Sequence, residues 1–150
     1  MSAEPLARPD LLTTATLVVG FGITVLMFRI QREVQVRDQH PDWPNWLPFA
    51  DYLVEAAVVL ELVFVVIPLI AAPVPSKRYL DWAAAFSASC PTLLLGYIPA
   101  ILAHYRIAFK HGRTGPRGKC EPAEGWLVAI TAALALAVFV ATLMLQHERN

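Results

Sequence analysis

Two acidic residues, Glu55 and Glu61, lie inside a run of apolar residues that is long enough to cross a lipid bilayer. About twenty apolar residues span the hydrocarbon core, and the run 52–72 has that length. Placing a charged acid at membrane depth costs about 2.5 kcal/mol or more, so such residues are rare and often functional. The two acids are therefore the first candidates for a functional site.

Glu55 lies close to one surface of the membrane. At about 1.5 Å per residue, it is about 5 Å along the helix from the start of its run. Asp51 precedes it by one turn, and Arg29 or Arg32 can pair with either acid. We expect Glu55, Asp51 and Arg29 to act as interfacial charges, with the arginine joined to an acid in an ion pair.

Glu61 lies much deeper than Glu55. It is about 13 Å along the run, close to the bilayer midplane, and is rotated by roughly 240° from Glu55 about the helix axis. Burial at this depth favours the neutral acid over the carboxylate. The third apolar run carries Ser89 and Thr92 at a similar depth. Glu61, Ser89 and Thr92 therefore form a candidate intramembrane polar site.

This candidate site has two interpretations. A neutral Glu61 can hydrogen-bond to Ser89 or Thr92 and hold two helices together. A titrating Glu61 can instead bind a proton or cation during transport. Pro91 and Pro99 lie in the same run as the hydroxyls and predict kinks, which either line a cavity, as in transporters, or are static.

Other kinds of chemistry find little support in the sequence. The four histidines lie in loops or at span ends without ligand spacing, so we expect no metal site and no haem or other cofactor. His104 is interpreted as an interfacial anchor. Cys90 and Cys120 form no Cys-x-x-Cys pair, and both are expected to be free thiols. We predict no catalytic residues and no enzymatic activity.

The elements that position these residues are four apolar runs in one 150-residue domain. Their approximate bounds are 11–28, 52–72, 82–103 and 126–145. All four tryptophans lie at or beside span ends, as expected for the membrane interface. The sequence predicts an all-α membrane protein, a four-transmembrane-helix antiparallel bundle, with the first helix continuing to about Gln39.

Positive charge predicts the orientation. The loops 29–51 and 104–125 together carry eight Lys and Arg residues, and the opposite side carries four. The eight are Arg29, Arg32, Arg37, Arg106, Lys110, Arg113, Arg117 and Lys119. Since basic loops stay cytoplasmic, we expect a multi-pass protein of the cell membrane with these loops inside and both termini outside.

Small and basic residues indicate which partners to expect besides the lipid bilayer. Small residues recur every four positions in spans one and four, at Thr16, Gly20 and Thr24 and at Ala129, Ala133, Ala137 and Ala141. Such stripes pack helices within one chain, in a homo-oligomer or against another membrane protein. The basic stretch 106–119 suits anionic lipid headgroups. Zero net charge gives no indication of nucleic acid binding.

These observations favour a non-enzymatic structural or accessory membrane subunit. The alternative is a small, oligomeric proton- or cation-coupled transporter or channel that uses Glu61.

Overall fold

Four long helices pack together in the computed structural model, which describes residues 8–39, 48–72, 74–105 and 122–148. Each helix is apolar enough and long enough to cross a membrane. Their bounds are α1 Arg8–Gln39, α2 Asp51–Ala71, α3 Lys77–His104 and α4 Pro122–Glu148. The predicted all-helical, four-helix fold class is confirmed. The basic stretch 106–119 and Cys120 lie outside the described residues.

The four helices alternate in direction. Arg29 of α1 contacts Asp51 at the start of α2 and Tyr105 just after α3. At the opposite end of the bundle, Arg8 of α1 donates a hydrogen bond to the carbonyl of Leu69 near the end of α2. We call the first of these the loop end and the second the terminus end.

Helix α2 changes its winding at its centre. It is α-helical over Asp51–Glu61, π-helical over Leu62–Val66 and α-helical again over Ile67–Ala71. A π turn has i→i+5 hydrogen bonds, and the N–H of Ile67 accordingly donates to the carbonyl of Leu62. The wider turn begins directly after Glu61.

Pro68 gives a physical reason for this irregularity. Proline has no N–H, so the carbonyl of Phe64 cannot receive its usual helical hydrogen bond from residue 68. The hydroxyl of Tyr79 on α3 replaces that donor, lying 2.7 Å from the carbonyl oxygen of Phe64 and 3.3 Å from that of Val65. The contact also ties α2 to α3 in the close antiparallel hairpin that the short connection predicts.

Helix α3 begins at a capped N-terminus. The side chain of Ser76 accepts a hydrogen bond from the N–H of Tyr79, as is common at helix starts. The helix runs through Pro91 and Pro99. Pro91 has no N–H to donate to the carbonyl of Ser87, four residues earlier.

Two clusters of buried side chains lie on either side of the middle of the bundle. The loop-half core contains Val18, Ala50, Leu53, Val54, Ala57, Cys90, Leu93, Tyr97, Ala100 and Ala135. The terminus-half core contains Leu11, Ala15, Val65, Leu69, Ala83 and Ala84. Only the loop-half core includes side chains with a thiol or hydroxyl group.

Helix α4 lies at the edge of the bundle and packs mainly on α3. A β-carbon added to Gly96 of α3 would overlap Thr131 of α4, so glycine permits this close approach. The alanine stripe of α4 does not pack here. Ala129, Ala133, Ala137 and Ala141 are all exposed.

The small-residue stripe of α1 is also turned away from the bundle. Thr16, Gly20 and Thr24 are exposed, and nothing lies near the space that a β-carbon on Gly20 would fill. Gly22 instead packs against Val58 of α2. The stripes of α1 and α4 are therefore not packing faces within the described part of this chain.

Candidate functional site

Glu61 lies at the centre of the bundle with none of its surface exposed. The hydroxyl of Ser87 on α3 donates a hydrogen bond to its Oε2 atom at 3.1 Å. The thiol of Cys90 also interacts with the carboxyl group. The second oxygen, Oε1, is buried and has no hydrogen-bond partner among the described residues. One half of the carboxyl group is satisfied and the other is open.

The hydroxyl beside Glu61 differs from those predicted. Ser89 is buried, but its Oγ donates to the carbonyl of Phe86 at 2.9 Å rather than to Glu61. Among the described residues, no hydrogen bond joins Thr92 to Glu61. The expected bond to Ser89 or Thr92 is therefore replaced by one from Ser87. Ser87 lies about 200° around the helix from Ser89, and the rotation of α3 turns it towards α2.

The backbone around Glu61 is irregular on both helices. The π turn of α2 starts at the next residue. On α3, the carbonyl of Ser87 lacks its helical donor because Pro91 follows four residues later. Single π turns inside α-helices occur often at functional sites. The buried acid thus lies between two helix segments whose backbone departs from regular hydrogen bonding.

Few titratable groups can face Glu61. Helix α1 has none between Asp10 and Arg29, and α4 has none between Glu124 and His147. Of the titratable residues described on α3, Cys90 lies beside the carboxyl group of Glu61. No group of three or more His, Cys, Asp or Glu side chains able to hold a metal occurs in the described part of the chain. The arrangement suits binding of a proton or a single small cation.

A second polar cluster lies at the loop end. Arg29 and Asp51 are both buried, and Arg29 Nε lies 3.2 Å from Asp51 Oδ1 while its second nitrogen lies 3.3 Å from Oδ2. Arg29 also contacts the hydroxyl of Tyr105 and pairs with Glu33 at 3.2 Å. Of the three predicted interfacial charges, Arg29 and Asp51 therefore come together. Glu55 is exposed, and among the described residues no ion pair joins it to Arg29.

The loop end also contains a carboxylate that the sequence did not single out. Glu124, near the start of α4, is fully buried. Its Oε1 accepts a hydrogen bond from the N–H of Ala50 at 3.0 Å, and its Oε2 lies 2.9 Å from His104 Nδ1. Interpreting His104 as an interfacial anchor was wrong, since it is buried against this acid. Glu124 joins the starts of α2 and α4 to the end of α3.

A sequence signal for this contact existed. His104 ends one span, and Glu124 begins the next, so two antiparallel neighbours joined by one loop bring both residues to the same end of the bundle. We call the group of Arg29, Asp51, Tyr105, His104 and Glu124 the loop-end cluster. Within this cluster, Arg29 is paired with Asp51 and His104 with Glu124, and such pairing suits a structural role.

Comparison of the chain with protein-family models, curated proteins and solved structures finds no match.

Proposed function

We propose that this protein binds and releases a proton or small cation at Glu61 as part of ion-coupled transport across a membrane. The observation that carries this proposal is the fully buried carboxyl group, whose Oε1 has no hydrogen-bond partner in the part of the chain that the structure describes. A buried polar atom without a partner costs about 1–3 kcal/mol in a folded protein. Because hydrophobic side chains would avoid that cost, the acid points to an ion that occupies the open oxygen.

The irregular backbone beside the acid supports the same proposal. Transporters bind ions near the bilayer midplane, often where helices are broken and backbone carbonyls are freed. Here the π turn follows Glu61, and Pro91 frees the carbonyl of Ser87. Both features lie at the centre of their helices, and neither is needed for a purely apolar bundle.

Reconstitution into liposomes tests the proposal. With a pH-sensitive dye trapped inside, the protein should dissipate a proton gradient or couple it to a second ion, and Glu61→Gln should abolish that flux. Glu55→Gln is the matched control, since Glu55 is an exposed acid on the same helix. Equal ion flux in the native protein, Glu61→Gln and empty liposomes would contradict an ion-coupled role.

A second candidate is the structural or accessory subunit, and the exposed face of α4 favours it. Of the residues in the most apolar 18-residue stretch of α4, only 11% are buried against the rest of the described chain. The exposed alanine stripe would let another membrane helix approach closely. The same surface would also serve an oligomeric transporter.

Gentle purification from native membranes separates these two candidates. A stoichiometric partner would support the accessory role, whereas a homo-oligomer would support the transporter. Ala133→Leu on the stripe should disrupt either assembly, and Leu134→Ala on the neighbouring face serves as the control.

For the location, we propose a cell-membrane protein with the loop end in the cytoplasm. The excess of Lys and Arg in the two loops at that end supports this orientation. Cys120 lies in one of these loops, and Cys90 is buried in the bundle. A membrane-impermeant maleimide should therefore label Cys120 only after cells are opened. Labelling of intact cells, absent in Cys120→Ser, would reverse the orientation.

A further inference from the structure

The open oxygen of Glu61 can be assigned to one kind of ion, and the two halves of the bundle indicate the direction from which that ion comes. This inference depends on the proposed function, since it concerns the same site.

The ligands around Glu61 are too few for a metal cation. Oxygen-preferring cations such as Ca²⁺ take about six to eight oxygen ligands, and ions stripped of water in channels need a comparable shell of carbonyls. Besides its own two carboxyl oxygens, Glu61 has the hydroxyl of Ser87 beside it, and Pro91 frees one backbone carbonyl, that of Ser87, on the facing helix. The remaining polar neighbour is the thiol of Cys90. A proton needs only one of these atoms.

The hydrogen bonding at Glu61 also fits proton exchange. Oε2 can keep its bond from the Ser87 hydroxyl whether the acid is neutral or charged, because it acts as an acceptor in both states. Oε1 then takes up a proton from water and forms one O–H bond, or releases the proton to water and breaks that bond. The acid changes charge without losing the contact that holds α2 to α3.

Within the described helices, a series of polar side chains leads from Glu61 towards the loop end. Cys90 is adjacent, Tyr97 lies two turns further along α3, and Asp51 lies beside Tyr97. His104 follows Tyr97 by seven residues, which places it on the same face of α3. On the other side of Glu61, the buried members of the terminus-half core are apolar, with large side chains at Leu11, Val65 and Leu69. Tyr79 packs against this core, but its hydroxyl is engaged by the backbone carbonyls of Phe64 and Val65.

From these observations, we infer that Glu61 exchanges a proton with water that enters from the loop end, between α2 and α3. The stretch from Cys90 to Tyr97 covers about 10 Å at the helical rise. Ala57, Val54 and Leu93 belong to the same buried core as this stretch, and Ala100 lies about one turn beyond Tyr97 towards the loop end. Water must cross this stretch transiently, and the terminus-half core remains closed.

Cysteine accessibility tests the route. Ala57 and Ala100 lie in the loop-half core, and Ala15 and Ala83 in the terminus-half core, and all four are 0% exposed. Each is changed to Cys in a background with Cys90→Ser and Cys120→Ser. A small water-soluble methanethiosulfonate should modify Ala57→Cys and Ala100→Cys at least about tenfold faster than the other two. Equal rates, or faster reaction in the terminus half, would overturn the route.

The native Cys90 gives a second measurement without any change to the core. In folded Cys120→Ser protein, the reagent should modify Cys90 slowly but measurably, and Leu93→Trp should reduce the rate by narrowing the loop-side approach. Complete protection of Cys90, with normal reaction after unfolding, would also overturn the route.

Infrared spectroscopy tests the identity of the ion. The Glu61 carboxyl band should change with pH and remain unaffected by added Na⁺, K⁺ or Ca²⁺. If one of these cations displaces the proton, the proton assignment fails while the proposed function stands. If the band never changes, the proposed function fails as well. If the band changes but the terminus-half cysteines react faster, only the route is wrong.

Discussion

The middle of the bundle and its loop end both contain buried acids, but the two regions satisfy them differently. At the loop end, Asp51 has a bidentate arginine partner, and both oxygens of Glu124 accept or approach donors. In the middle, Glu61 accepts a hydrogen bond from Ser87 and lies beside the Cys90 thiol, and among the described residues its Oε1 has no hydrogen-bond partner. Paired charges hold helices in place, whereas an open carboxyl oxygen retains the capacity to bind an ion.

This comparison explains why charge alone does not identify the site. The loop-end cluster has more charged groups than the middle and would attract attention first. Its members, however, have partners within the cluster, and removal of one member of the Arg29–Asp51 pair weakens the compensation of a buried charge. Stability measurements should therefore respond strongly at the loop end, and ion-linked measurements should respond at Glu61.

The largest stability effect is expected for the Arg29–Asp51 pair. Asp51→Asn removes the buried carboxylate partner of Arg29 and leaves the guanidinium with the more exposed Glu33, so it should lower the free energy of unfolding by about 3 kcal/mol. Denaturant titration in detergent measures this change. The double variant Arg29→Met, Asp51→Leu should recover most of the loss, because it removes both buried charges. A double variant as unstable as the single one would mean that the Arg29–Asp51 ion pair is not what stabilises the loop end of the bundle.

Glu124 should give the next largest effect. Glu124→Ala removes the acceptor of the Ala50 N–H and should cost about 1–3 kcal/mol. Glu124→Gln keeps an acceptor oxygen and should cost less. If both variants unfold at the same denaturant concentration as the native protein, Glu124 does not join the three helices as described.

The sequence is enough to predict some features of these regions and not others. Apolar length was enough to predict four helices, and depth along α2 was enough to identify Glu61. The identity of its partner was not predictable, because choosing Ser87 over Ser89 requires the rotation of α3 about its axis. The π turn depends on Pro68 and on a hydroxyl from Tyr79 of another helix. Glu124 was not singled out, because its partners Ala50 and His104 come together only when three helices pack.

Ser87 should have a smaller effect on stability than either loop-end change. Ser87→Ala removes one hydrogen bond to Glu61, which is worth about 1 kcal/mol. It should also alter the pH at which Glu61 exchanges its proton. Ser89→Ala is the matched control, since Ser89 bonds to its own helix and should leave that pH unchanged. A larger shift for Ser89→Ala would mean that Ser89 rather than Ser87 faces the acid.

Glu61→Gln should have the smallest effect on stability of these substitutions. The amide keeps an acceptor for the Ser87 hydroxyl, and its NH₂ group occupies the place of the unpartnered oxygen. We expect a change within about 1 kcal/mol, measured by the same denaturant titration. A loss as large as that of Asp51→Asn would mean that Glu61 is a structural charge and that the two regions do not differ.

The central claim is that Glu61 gains and loses a proton in the folded protein. Infrared difference spectroscopy of the reconstituted protein, recorded between acidic and alkaline pH, measures this directly. The account predicts a protonated-carboxyl band at acidic pH that is lost at alkaline pH, absent from Glu61→Gln and retained in Glu55→Gln. Identical difference spectra for the native protein and Glu61→Gln over the whole pH range of the folded state would contradict it.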